Sequence, residues 1–539
     1  MQQAILFDSN TSGAMTIPEV AGTLNVSEAS VRNWIRAGYL CHNHGAGVTR
    51  DSFDNFCSNV VGKDKLTGRA NKSHVDDHDH GALVSKTRLA LKANTNPADL
   101  AEEYERSLSN SYRNREGIYY TPEDICEVMF SDIPGPFSGH TFCDPCCGSG
   151  NFISAAVRQG FPPENIYGYD TDPVAVEIAR LRLYQETGYS SGNIVCADFL
   201  EISSELKYDA ILTNPPWGKK LQKREKERLG SLLGAGRSLD TGSLFLFASI
   251  KALNNGGTLA LLMPESFFKI ATFQDARNRL LELSLASVRD FGKPFKGLLT
   301  KAQSFCAIKT ERGKNTTHCW KKDDDFKRPQ ASFIKNPHSI INFETRPEDT
   351  SVISSLYGKP YVTLEGSARW GLGIVTGNNK KFCKDKPGDD LMAVYRGAEV
   401  LKGRLGEPTT FIPADLSLYQ QVAPVELFEA DEKILYRFIS SDLVFHHDTD
   451  KSYFLNSINM LVLSEEFPIS NSHIVDLFNT DLFNWVFKKI FNTHKILRAD
   501  LEKMPLPVEF LQGRDEFTEE ELVEYYGIKR GEDGTYRAE

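Results

Sequence analysis

No run of about 18 uncharged apolar residues occurs in this 539-residue chain, so no membrane-spanning helix is expected. The opening stretch MQQAILFDSN has neither the basic start nor the apolar centre of a secretory leader, which sets the expectation of a cytoplasmic protein. Cysteine is sparse, at 10 residues, and three of them crowd together at Cys143, Cys146 and Cys147. That distribution reads as reduced thiols and not as a disulfide framework. Positive charge is in deficit, with 62 Lys and Arg against 72 Asp and Glu and a net charge of -10. A surface that wraps nucleic acid all round is therefore disfavoured, whereas a local basic cleft is not. The charge is uneven: Lys219, Lys220, Lys223, Arg224, Lys226, Arg228 and Arg237 share one stretch, while Glu519, Glu520, Glu521, Glu524, Glu532 and Asp533 load the tail.

The length asks for two or three domains. Residues 1–60 hold a short helix ending near Leu24, a turn at Asn25 and Val26, and a second helix from about Ser27, on which Val31, Trp34 and Ile35 form an apolar stripe. This pair resembles a helix-turn-helix of the MerR or excisionase type, which puts Ser30, Arg32, Asn33 and Arg36 near the outward face of a recognition helix. A helical pair serving protein contacts is the alternative. Residues 61–98 read as a polar connector, and His74, His78 and His80 within it as a solvated run and not a metal site.

From 99 to 330 the pattern turns to apolar strands alternating with amphipathic helices, the signature of an α/β domain with a parallel sheet. HTFCD, NIYGYD, NIVCAD, YDAILTN and GTLALLMPE are the expected strands. Ligands of such sheets sit at the carboxyl ends of the strands. Residues 331–510 lose that alternation and form a separate mixed α+β domain, and 511–539 is an acidic tail expected to be partly helical or disordered.

The strand ends carry the chemistry. Asp144-Pro-Cys-Cys-Gly-Ser-Gly150 is an acidic residue followed by a glycine-rich turn, where Gly148 and Gly150 allow the backbone to approach a ligand. Its Cys-x-x-Cys lacks a second ligand pair, so no metal is expected. The next strand ends at Asp170, which can accept from both ribose hydroxyls of a nucleoside, and the third at Asp198-Phe199, an acceptor for an adenine amine beside an aromatic face. Asp209-Ala-Ile-Leu-Thr-Asn-Pro-Pro-Trp217 is the most specific string. An exocyclic amine is a poor nucleophile because its lone pair is delocalised into the ring. The Asn214 side-chain oxygen and the Pro215 carbonyl, stiffened by Pro216, can accept its two N–H bonds and turn the lone pair toward a methyl donor. Trp217 then offers a flat face to an extruded base.

These strings resemble the amino-methyltransferases of DNA, in particular the adenine-N6 enzymes of the gamma class, whose specificity domain follows the catalytic one. The resemblance implies a Rossmann-like domain dependent on S-adenosyl-L-methionine. It matches Tyr120-Thr121-Pro122 to the first cofactor motif, puts Thr121 and Asp144 near the methionine moiety, Asp170 at the ribose and Asp198 with Phe199 at the adenine, and counts Pro145 among the cofactor-binding residues. Phe295 matches a second aromatic that stacks on the flipped base. Trp217 stands where Tyr or Phe is more frequent, and Cys146 with Cys147 vary the usual small residues. Arg369 to Asn379, Tyr395-Arg-Gly397 and Phe483 to Pro507 resemble TaqI-like specificity domains.

Lys219 and Lys220, at the head of the basic stretch, are candidates for phosphate contacts, and Gly230, Gly234 and Gly236 suggest a mobile loop there. The expected partner is double-stranded DNA, with a separate restriction endonuclease as a second one and no fused cleavage activity. The rivals are a methyltransferase of an RNA base or protein glutamine, and a DNA-binding regulator that only binds cofactor.

Overall fold

The computed structural model describes residues 14–24, 28–36, 39–43, 47–59, 96–108, 117, 119–219, 221–295, 298–310, 315–322 and 324–539. The turn expected at Asn25 and Val26, the side chains of Ser30, Asn33 and Arg36, the connector histidines and Lys220 lie outside the described residues. The chain divides into two compact units, residues 1–234 with 239–262, and residues 235–238 with 263–539. The cut falls inside the span 99–330 that the sequence assigns to one catalytic domain.

The first unit opens with α1 (Ile17–Thr23), α2 (Glu28–Arg36), the strands β1 (His42–Asn43) and β2 (Gly47–Val48), and α3 (Arg50–Asn59). Thr16 starts α1 through a capping box with Glu19. Val20, Leu24, Val31, Trp34, Phe53 and Phe56 share one small core, so the apolar stripe does pack the two helices together. Arg32 is exposed and pairs with Glu28 one turn earlier.

After α4 (Pro97–Ser107) and α5 (Glu123–Ser131) come β3 (Phe142–Asp144), α6 (Asn151–Arg158), β4 (Ile166–Asp170), α7 (Pro173–Thr187), β5 (Ile194–Cys196), α8 (Phe199–Ile202), β6 (Tyr208–Thr213), α9 (Lys223–Leu233), α10 (Thr241–Ala252) and β7 (Leu253–Pro264). The five strands of this domain lie in the order β7-β6-β3-β4-β5, all parallel, and all five expected strands are present. This is the Rossmann-like α/β architecture. Buried β-branched and aromatic runs such as Tyr208–Thr213, together with helices capped by Asp172 and Asp240, explain why these segments alternate.

In the second unit β8 (Ser284–Asp290), β9 (Ala302–Ile308), β10 (Thr316–Lys321) and β11 (Asp324–Pro329) run in the order β11-β10-β8-β9. Further on, β12 (Ala368–Leu372), β13 (Lys433–Arg437), β14 (Phe445–Asp448) and β15 (Ile458–Leu463) form an antiparallel sheet in the order β12-β15-β13-β14. α11 (Asn471–Asn479) and α12 (Asp481–Phe491) bury Phe478, Phe483 and Phe487 in the same core as Ile434 and Tyr436 of β13.

Two expectations are corrected here. The tail is partly helical, as one of the two expectations had it, and not disordered: α13 (Glu519–Tyr525) and a hairpin of Ile528–Arg530 with Tyr536–Ala538 bury Leu522, Tyr526, Ile528 and Tyr536 in that core. Its acids cap and decorate a folded element, with Thr518 and Glu521 forming a capping box. The middle of the basic stretch, Lys223–Leu233, is not a loop but the eleven-residue helix α9, with Lys219 and Arg237 outside it. Gly230 lies within it because a Cβ there would meet Leu239 at 2.4 Å, and Gly234 ends it with φ +73.

Candidate active site

One cavity of the first unit gathers the carboxyl ends of β3, β4, β5 and β6. From β3 come Asp144, Pro145 and the turn through Gly148; from β4 Asp170; from β5 Asp198 and Phe199; from β6 Asn214 and Pro216. Tyr120 and Thr121 line it ahead of the sheet. Four loops that are far apart in sequence therefore converge at one edge, as the parallel strand order requires.

The glycines also serve the packing around the turn. A Cβ on Gly148, at φ +49, would meet the Tyr120 ring at 2.8 Å, and one on Gly150, at φ +96, would meet Cα of Ala179 at 3.1 Å. They make room for the Tyr120 ring and for α7, and Gly148 lines the cavity itself. Gly148 N–H also donates to Asp170 Oδ2 at 2.9 Å, which fixes the turn against β4.

Asp144 and Asp170 form no ion pair with a basic side chain among the described residues, whereas Lys219 offsets part of the burial of Asp198. Asp144, 1% exposed, accepts from Cys146 N–H at 3.0 Å, and burial pushes its pKa up to about 7. Burial raises Asp170 to about 6, although the amides of Asp172 and Gly148 both donate to it. Asp198 caps α8 through Leu200 N–H at 3.0 Å. Phe199 is buried at 1% exposure, with the Phe245 ring parallel to it at 6.5 Å. Groups desolvated without a compensating cation are poised for a polar ligand.

At the end of β6 the Asn214 amide is oriented from one side only. Its Nδ2 donates to Tyr119 O at 2.7 Å, while its Oδ1 is buried and accepts from nothing among the described residues. An unsatisfied acceptor on the wall of a cavity is a binding feature.

Trp217 departs from the expectation. It is 9% exposed, its indole N–H donates to Leu262 O at 3.1 Å, and it is not among the residues lining the cavity. The aromatic that does line this end is Tyr119, whose ring centroid is 6.3 Å from that of Trp217. Pro215 is buried, and Pro122 caps α5; neither lines the cavity. Lys219 does line it, and its carbonyl accepts from Thr241 Oγ1 at 3.1 Å. Phe295 belongs to the second unit and is 7% exposed. The sequence reading missed Tyr119, Glu225 and Phe245, which all line the cavity. Tyr119 adjoins a motif residue, but Glu225 and Phe245 sit on helices whose facing only packing decides.

A parallel sheet whose first three strand ends present acids around a glycine turn, and whose fourth presents Asn-Pro-Pro, defines a methyltransferase that uses S-adenosylmethionine. The residues fit that cofactor: two buried unneutralised carboxylates suit a ligand with hydroxyl and ammonium donors, and Phe199 suits a purine. Residues 97–287 match the family model described as N-6 DNA Methylase, and residues 392–506 that described as TaqI-like C-terminal specificity domain. The type II methyltransferase M.VspI of Vibrio sp. (strain 343) is 46% identical over 406 residues, covering 75% of this chain and 100% of that one. The type II methyltransferase M.CvrRI of Paramecium bursaria Chlorella virus XZ-6E is 32% identical over 119 residues, 22% of this chain and 29% of that one. Among solved structures, the type IIL restriction-modification enzyme MmeI in complex with DNA aligns with a TM-score of 0.49 and 13% identity over 79% of this chain and 72% of that one. The chain belongs to the type II DNA methyltransferases of restriction–modification systems. DNA is its partner, and no described helix is long and apolar enough to cross a membrane.

Proposed function

We propose that the enzyme methylates the exocyclic N6 of an adenine flipped out of duplex DNA. The observation that carries this reading is the Asn214 amide: the residue lines the cavity, its Nδ2 is held by Tyr119 O, and its buried Oδ1 has no donor among the described residues. S-adenosylmethionine supplies an electrophilic methyl on a sulfonium. Asn214 Oδ1 and the Pro215 carbonyl accept the two amine hydrogens and release the lone pair from the ring, and burial keeps water from competing for them. Asp170 accepts from the ribose hydroxyls, Asp198 from the cofactor's adenine amine, and Phe199 packs on that ring. Thr121 and Asp144 belong near the methionine moiety. Tyr119 takes the stacking role that the sequence alone suggested for Trp217, which serves instead as a rigid backing for the Pro-Pro turn. Phe295 is the candidate for the second stacking face, and Lys219 for a phosphate contact.

The family description N-6 over residues 97–287 supports the exocyclic amine as the acceptor. The reading extends to α1 and α2 as a helix-turn-helix adding DNA contacts, supported by the core that joins them and the exposed Arg32. It also includes a separate cognate endonuclease and a cytoplasmic location, where the host DNA lies. The test is the product. Duplex DNA incubated with enzyme and labelled cofactor, digested to nucleosides and resolved by mass spectrometry, should yield N6-methyl-2'-deoxyadenosine. A methyl group on cytosine or on a ring atom, or transfer to RNA or a protein glutamine with none to DNA, would refute it.

A further inference from the structure

Helix α4 contributes no side chain to the cavity wall, yet two adjacent residues on it reach the cofactor turn from behind. Tyr104, fully buried, donates its phenol hydroxyl to Asp172 Oδ2. Asp172 caps α7 by accepting from Val174 N–H at 2.9 Å, and its own amide donates to Asp170 Oδ1 at 2.9 Å. Asp170 Oδ2 accepts from Gly148 N–H at 2.9 Å, and the neighbouring Ser149 hydroxyl donates to Glu105 Oε1 at 2.8 Å. The bonds thus run from Tyr104 through Asp172, Asp170 and the Gly148–Ser149 turn back to Glu105. The chain of contacts closes on a single turn of one helix.

We infer that Tyr104 and Glu105 are positioning residues of the cofactor site, holding the Asp170 carboxylate and the glycine turn in the geometry that binds the nucleoside. The inference rests on the reading of Asp170 as the ribose acceptor. Each Asp170 oxygen already holds one backbone N–H, so the lone pairs left for a ligand point in fixed directions only while both amides stay in place. Asp172 carries one of those amides and sits in like-charge proximity to Asp170. The Tyr104 proton fixes the Asp172 side chain without adding a cation that would neutralise the site. Glu105 performs the same service for Ser149, whose backbone neighbours Gly148 and Gly150 have positive φ and little torsional restraint of their own. Leu100, Ala101, Leu108, Val174 and Ile178 seat α4 on α7, so the ring is clamped by packing as well. Preorganisation of this kind lowers the ordering cost of binding without touching the reacting atoms.

The signature is a split between binding and turnover. Tyr104→Phe should raise the cofactor Kd and its KM about tenfold, with kcat at saturating cofactor and KM for DNA within about twofold of wild type. Glu105→Ala should do the same, whereas Glu105→Gln, which keeps an acceptor for Ser149, should restore most of the affinity. Leu100→Ala, which loosens the same helix without breaking the ring, should lower Tm with cofactor Kd nearly unchanged. A cofactor Kd unmoved by Tyr104→Phe overturns the inference. So does an equal loss of affinity in Leu100→Ala, which would reduce α4 to scaffolding. Asp170→Asn, assayed for binding alongside, separates the two levels: if it leaves cofactor affinity intact the ribose assignment fails, and if it alone weakens binding only the role of Tyr104 and Glu105 fails.

Discussion

Buried polar groups in the catalytic and specificity regions are treated in opposite ways. In the specificity region Lys433 and Asp448 are both 0% exposed, with Nζ and Oδ2 2.5 Å apart. Further hydrogen bonds support the pair: Lys433 donates to Phe428 O, and Asp448 accepts from the Ser452 amide and hydroxyl. Burial alone would raise the Asp448 pKa, but Lys433 and Ser452 outweigh it and hold the carboxyl below its ordinary range. In the catalytic region Asp144 and Asp170 are buried with amide donors but no cation among the described residues and their pKa values are raised, and Asn214 Oδ1 accepts from none of the described residues. A buried group that the protein satisfies builds structure, and one that it leaves unsatisfied waits for a ligand.

Removing an unsatisfied group should therefore cost function and spare stability. Asn214→Ala should lower kcat by roughly 10²- to 10³-fold while cofactor Kd, followed by calorimetry, stays within a fewfold and Tm barely moves; near-normal turnover would end the comparison on the catalytic side. The converse applies to Lys433→Met, which strands the Asp448 carboxylate and should cost about 3–5 kcal/mol in denaturant unfolding. Adding Asp448→Leu should recover most of that loss, and a double variant as unstable as the single one would show that the pair's charge is not what matters.

Asp144→Asn sharpens the contrast further. At pH 8 the wild-type carboxyl is held ionised against burial, so the variant should raise the Tm of the cofactor-free protein by a few degrees, an effect of about 1–2 kcal/mol, while weakening cofactor binding. A drop in Tm would mean that the carboxylate is needed by the fold itself.

The smallest effect is in pH dependence. Asp144 and Asp170 have folded pKa values of about 7 and about 6, above their unfolded values, so their contribution to stability is fully present below about pH 4 and is lost as pH rises through 6 to 7. Asp448, lowered, contributes above the unfolded value and loses its contribution as pH falls below it. Cofactor affinity, which needs ionised acids, should decline as pH falls below about 7 and further below about 6. Affinity that is flat from pH 8 to 5 would show that neither acid titrates at the site.

Much of the catalytic domain is legible in the chain because its information is local. Each strand is a short apolar run, β3, β4 and β5 lead into the acids that line the cavity and β6 into Asn214, and the parallel order brings those ends together without long-range detail. The errors have local causes too. An aromatic after Asn-Pro-Pro carries no signal of which way its ring turns, and Trp217 is drawn inward by the Leu262 carbonyl. Glycines at 230 and 234 look like loop residues, but one relieves a clash with Leu239 and the other terminates α9. In the tail, the acids between Leu522, Tyr526 and Ile528 hide an apolar face that only the core of the second unit reveals.

The sequence by itself determined the reaction class, the strand-end acids and the Asn-Pro-Pro turn, since those depend on residue types at short spacings. Tertiary structure alone decided that Asn214 Oδ1 is left without a donor among the described residues, that Tyr119 and not Trp217 faces the cavity, and that Tyr104 and Glu105 close a ring around Asp170. Satisfaction of a polar atom is a property of everything that surrounds it, and the surroundings come from segments dozens of residues away.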